Sequence, residues 1–124
     1  MTFDEYQHLA SRTEKIPAEQ DTLALQRYRY NHHTLGVVSE AGELAGATKK
    51  VIIYGKEVDV HNVIEEVGDL LWYLAGLGNT FGFTLEEAAK ENIAKLRKRY
   101  PEKYTDAAAA ARADKAGVET DNAE

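Results

Sequence analysis

The sequence has no cysteine, and proline stands only at Pro17 and Pro101 among its 124 residues. Without cysteine there is no disulfide framework and no zinc-thiolate site, and a reducing, intracellular setting fits. A surplus of positive charge is also missing. The chain carries 15 Lys+Arg against 21 Asp+Glu, a net charge of -6 and a pI near 5.2. A protein that coats a nucleic-acid polymer usually has the opposite sign, so no such partner is expected. No apolar run approaches the roughly 20 residues of a membrane span, so no membrane partner is expected either. The segment Met1-Thr2-Phe3-Asp4-Glu5 lacks the basic and apolar regions of a signal peptide. Sustained alternation of apolar and polar residues is absent, and no Asn-Gly dipeptide joins two apolar runs, which argues against strands and hairpins.

Helical periodicity fills the space that remains. Thr2 and Glu5 form a capping box ahead of a stripe at Phe3, Tyr6 and Leu9/Ala10, so a first helix begins there and fades before Pro17. Residues 15–27 read as a linker, with room for a helical turn after Asp21. The pattern predicts a second helix from about Tyr28 to Tyr54, stopped by Gly55. Asp59 can cap a third, from about Val60 to Thr80, with Val63, Val67, Leu70, Leu74 and Leu77 at helical spacing, and Gly82 ends the connection. Thr84 with Glu87 can cap a fourth, running to about Arg99. The length suits one domain. An all-α, antiparallel four-helix bundle over residues 1–105 is expected, followed by an alanine-rich tail at 106–124. That tail has little apolar surface, so a frayed helix with disorder after Gly117, or docking on a partner, is expected. Outward-facing Leu44, Leu71 or Trp72 would call for a second copy.

The acidic residues are not spread evenly. Glu40-Ala41-Gly42-Glu43 and Glu66-Val67-Gly68-Asp69 each place two carboxylates at i and i+3, about 60° apart on one helix face. Gly36 and Ala47 share the first face, leaving room close to the backbone, and Tyr73 shares the second. If the two helices pack, four carboxylates can converge beside their seam. Like charges so placed repel and tend to take up protons. A hard divalent cation such as Mg²⁺ removes the conflict, and it commonly shares its shell with substrate phosphates. For a single E-x-x-E, a solvated helix face is the commoner outcome; two pairs on neighbouring helices bring the readings level. Glu65 points about 100° away from Glu66 and reads as surface or inter-subunit. A di-iron bundle needs two Glu-x-x-His pairs, and this chain has one, Glu5 to His8.

Lys95, Arg97, Lys98 and Arg99 crowd the end of the fourth helix, where its dipole alone favours cations. Asn92, Lys95 and Arg99 nevertheless share a face at i, i+3 and i+7, an amide and two cations suited to a polyphosphate. His32 and His33 precede the acidic face. Each reads first as a packing or surface residue, with His32 the better substrate candidate. Tyr73, on the carboxylate face, is a better ligand candidate than Trp72 for packing on a ribose or base.

At this point a resemblance emerges. His32-His33-Thr34-Leu35-Gly36-Val37-Val38-Ser39-Glu40-Ala41-Gly42-Glu43-Leu44 resembles the first motif of the MazG-like all-α nucleoside triphosphate pyrophosphohydrolases. Asn62-Val63-Ile64-Glu65-Glu66-Val67-Gly68-Asp69-Leu70-Leu71-Trp72-Tyr73-Leu74 resembles the second, and residues 92–101 resemble the third segment. The likeness covers about residues 28 to 105. It implies a helical fold that assembles as a homodimer or homotetramer. It also implies Mg²⁺-dependent hydrolysis of a nucleoside triphosphate to the monophosphate and pyrophosphate, with Mn²⁺ able to substitute. By matching position, Glu40, Glu43, Glu66 and Asp69 would hold metal, with Glu43 and Glu40 catalytic. Asn92, Lys95 and Arg99 would meet the phosphates, while Tyr73 and His32 would line the nucleoside pocket. Where some relatives carry an extra acidic base just before the first motif, this chain has Ser39. The short chain resembles small stand-alone members, including phage-borne ones. That favours a dNTP substrate, purines such as dGTP first, and a cytoplasmic location, the host's if phage-encoded. The alternatives are a house-cleaning hydrolase of non-standard NTPs and a non-catalytic nucleotide-binding or regulatory helical module.

Overall fold

A computed structural model describes residues 1–18 and 21–116. It is helical, with no strand among the described residues: α1 (Phe3–Ser11), α2 (Thr22–Tyr54), α3 (Val60–Phe81), α4 (Leu85–Arg99) and α5 (Asp106–Ala111), then a 3₁₀ turn at Ala113–Lys115. No helix among these residues is long and apolar enough to cross a membrane. The chain divides into two compact units, Met1–Leu85 and the remainder from Glu86.

In the first unit the ends of the helices follow local chemistry. Thr2 and Glu5 complete the capping box at α1, with Thr2 Oγ1 accepting the Glu5 amide and Glu5 accepting the Thr2 amide. α2 starts at Thr22, six residues earlier than the apolar pattern indicates, because Asp21 Oδ1 accepts the Ala24 amide at 2.8 Å and caps it. The linker is correspondingly shorter than residues 15–27. Gly55 (φ 61°) and Gly82 (φ 75°) end α2 and α3 in the left-handed conformation that glycine adopts without penalty.

α2 packs along α3 as an antiparallel pair, and α1 lies on α3. The packing within this unit is therefore a three-helix arrangement, and the described residues form five α-helices rather than four. Gln7 of α1 ties it together. Its Nε2 donates to Asn79 Oδ1 and to the Phe83 carbonyl, and its Oε1 accepts the Leu85 amide. Trp72 is half-buried, not outward-facing, and its Nε1 donates to Thr13 Oγ1. A second anchor is buried. Arg29 donates Nε and Nη2 to the two oxygens of Glu14, and His33, 1% exposed, donates Nε2–H to Glu14 Oε1 at 2.9 Å. Burial holds His33 below its ordinary pKa despite the carboxylate, so the ring is neutral. The Arg29 and His33 hydrogen bonds overcome the burial of Glu14 and hold its carboxyl below the usual range.

Ala75 is the sole fully buried apolar residue among those described. The stripe expected on α3 is only partly covered: Val67 and Leu74 stay exposed, as do Ile64 and Val60, one and two turns before Val67. The buried positions are instead the small residues Ala75, Gly76 and Gly78, with Glu66. Small side chains let neighbouring groups approach the backbone, and they leave the larger residues on the flanks.

In the second unit, α4 ends in Arg97, Lys98 and Arg99, as the dipole favours. The described part of the tail holds the short helix α5 and the turn that follows it. Thr105 caps α5 through the Ala108 amide, and Asp114 closes back on Arg99 with two bonds of 2.6 Å. The disorder expected after Gly117 lies outside the described residues.

Candidate metal centre

Glu40 and Glu43 project from α2, and Glu66 from α3. One carboxylate oxygen from each lies within 4.8 Å of the other two. The antiparallel packing of α2 on α3 thus brings the first E-x-x-E pair and Glu66 of the second pair into one acidic cluster. Glu66 is buried, Glu40 half-buried and Glu43 exposed. Asp69 stands outside this group of three but close enough to act on it. Burial, then the negative charges of Glu43, Asp69 and Glu66, push the Glu40 carboxyl above the usual carboxylate range. Asp69 also adds to the burial that raises the Tyr6 phenol.

The donor set is all oxygen, with anionic charge in excess, as suits a hard divalent cation. The charges of Glu43, Asp69 and Glu66 that add to the burial of Glu40 are the repulsion that such a cation would relieve. The residues therefore fit a hard divalent cation.

On the same two helices, Tyr73 and His32 belong to an aromatic group. His32 meets Tyr73 edge-on at 5.7 Å between centroids, Trp72 at 6.1 Å, and Tyr28 at 5.9 Å. The room beside Gly36 is occupied, contrary to expectation: a Cβ there would collide with the Tyr73 ring. Gly36 is thus a seat for Tyr73 rather than for a ligand. Gly76 plays the same part for the His33 ring. The Nδ1 atoms of His32 and His33 are both buried without a hydrogen-bond partner.

Asn92, Lys95 and Arg99 lie on α4 in the second unit. Asn92 and Lys95 are exposed, whereas Arg99 is half-buried and engaged by Asp114. That ion pair holds the Asp114 carboxyl at about 2. Asp114 is missing from any reading of the motifs, and so is the Glu14–Arg29–His33 anchor; both depend on turns that bring back residues 15 and 19 positions away. Asn62, bonded to Glu66, did carry a local signal, its i,i+4 spacing.

Residues 30–104 match the MazG nucleotide pyrophosphohydrolase domain, and the chain belongs to that family. It is also similar to the Gene 37 protein of Mycobacterium phage L5, 33% identical over 105 residues, which covers 80% of this chain and 89% of the phage protein. No solved structure matches significantly. The matched segment contains the whole acidic cluster, Tyr73, His32 and the Asn92–Arg99 face.

Proposed function

We propose that the protein hydrolyses a nucleoside triphosphate, a dNTP with purines such as dGTP first, to the monophosphate and pyrophosphate in a Mg²⁺-dependent reaction. The observation that carries this reading is the convergence of Glu40, Glu43 and Glu66 from two helices inside a segment that matches the family domain. Glu40, Glu43, Glu66 and Asp69 would hold the metal, with Mn²⁺ able to replace Mg²⁺. When bound, the cation supplies charge neutralisation for the triphosphate and a water of lowered pKa.

The chain's own residues have distinct parts. Glu43, exposed at the edge of the cluster, accepts the proton of the attacking water directly or through a second water, with Glu40 beside it. The water oxygen forms a bond to the α-phosphorus, the bond from that phosphorus to the bridging oxygen breaks, and pyrophosphate departs. By matching position in the family, Asn92, Lys95 and Arg99 would meet the phosphates. Tyr73 and His32 line the nucleoside side. A cytoplasmic setting, the host's for a phage-encoded chain, gives access to the nucleotide pool.

Self-association as a dimer or tetramer belongs to the same reading. Val60, Ile64, Val67 and Leu74 recur at i, i+4, i+7 and i+14 on α3 and are all exposed, a stripe suited to a second copy. A house-cleaning hydrolase of non-standard NTPs uses the same machinery with another base. A panel of the eight common NTPs and dNTPs plus dUTP, with Mg²⁺, tests the proposal. Pyrophosphate release, greatest with a purine dNTP, is expected; a panel with no release from any member leaves a nucleotide-binding module instead.

A further inference from the structure

Asn62 precedes Glu66 by one turn of α3, and its Nδ2 donates to Glu66 Oε1 at 2.7 Å. Of the three gathered carboxylates, Glu66 alone is buried, at 8% exposure. It has therefore lost the most water while facing two like charges, and it needs a donor to remain in that position. A Lys or Arg at this place would meet the need by neutralising the charge, and would then compete with a cation. An amide donates without carrying charge. Asn62 is itself fixed: its backbone amide donates to Asp59 Oδ1 at 3.1 Å in the helix cap, a bond that does not involve its side chain. The side-chain amide is thus held in the first turn of α3, with Glu66 the acceptor one turn on.

We propose that Asn62 is a positioning residue for the metal centre: its amide occupies one oxygen of Glu66, fixes the side chain in one rotamer, and leaves the other oxygen to a divalent cation. This rests on the metal reading of Glu66 given above. Outer partners of metal ligands commonly contribute 10- to 100-fold in affinity.

The test is Mn²⁺ binding to the nucleotide-free protein, followed through the electron paramagnetic resonance signal of free Mn²⁺. Asn62→Leu removes the donor and is expected to weaken Mn²⁺ affinity by about 10- to 100-fold, with the helical circular dichroism unchanged because the cap uses the backbone. Asn62→Gln, whose amide still reaches one turn ahead, restores affinity to near the wild-type value. In turnover, saturating metal returns the kcat of Asn62→Leu to near wild type, while the half-saturating metal concentration rises in step with the lost affinity. Asn62→Ser, too short to reach Glu66, gives the same reading should the leucine variant not fold. Wild-type Mn²⁺ affinity in the folded leucine or serine variant, with binding lost in Glu66→Gln, overturns the role of Asn62 alone. A folded wild type that binds no Mn²⁺ overturns the metal reading and this inference together.

Discussion

Glu43→Gln reduces turnover by about 1,000-fold or more while the helices stay folded. The side chain is exposed, so the amide disturbs little packing. The chemistry changes far more. Gln cannot take a proton from water, and it removes one anion from a three-carboxylate cluster. A metal centre supplies several kcal/mol of charge stabilisation, and about 4 kcal/mol corresponds to about 10³ in rate. Stopped assays of nucleotide consumption, paired with circular dichroism, measure both halves of the expectation. Full activity in that variant would remove the first motif from the mechanism.

Gly76→Ala lowers stability, although glycine-to-alanine exchange inside a helix ordinarily adds up to about 1 kcal/mol. A Cβ at Gly76 runs into the His33 ring. That ring is 1% exposed and held by Glu14, which is in turn held by Arg29, so it has no free direction in which to move. Overpacking of this kind costs about 1–3 kcal/mol. Displacing His33 would also strip a partner from a buried carboxylate. A fall in thermal midpoint of about 5–10 °C is expected for a net loss of one to two kcal/mol. Gly46→Ala, with open space around the added methyl, is expected to move the midpoint the other way. A Gly76→Ala protein as stable as wild type would show that the His33 anchor is soft.

The parts of the fold written in neighbouring residues were legible in the sequence. Thr2 with Glu5, Asp59, Gly55 and Gly82 act within one helical turn, and each end appears where its chemistry puts it. The start of α2 lies ahead of its apolar pattern, since Thr22–Arg27 has no helical stripe to announce it and the Asp21 cap sets it instead. The gathering of Glu40, Glu43 and Glu66 was legible as far as the i,i+3 spacing reaches. Which of the three is buried was not, since burial depends on how α2 sits on α3. The use of Gly36 and Gly76 as seats for the Tyr73 and His33 rings was equally hidden, because a glycine face looks the same whether a ligand or an aromatic ring fills it. Asp114 on Arg99 required the tail to fold back, and an alanine run carries no sign of that.

The central claim is that the acidic cluster exists to hold a divalent cation, and the most direct measurement is a thermal titration of the nucleotide-free protein with Mg²⁺ and Mn²⁺. Binding to the folded state alone stabilises by about 2.7 kcal/mol when the ion is at 100 times its dissociation constant. The midpoint of the wild type is predicted to climb with the logarithm of metal concentration, and that of Glu66→Gln to stay nearly level. A wild-type midpoint indifferent to both metals would make the cluster an ordinary solvated face and contradict the account.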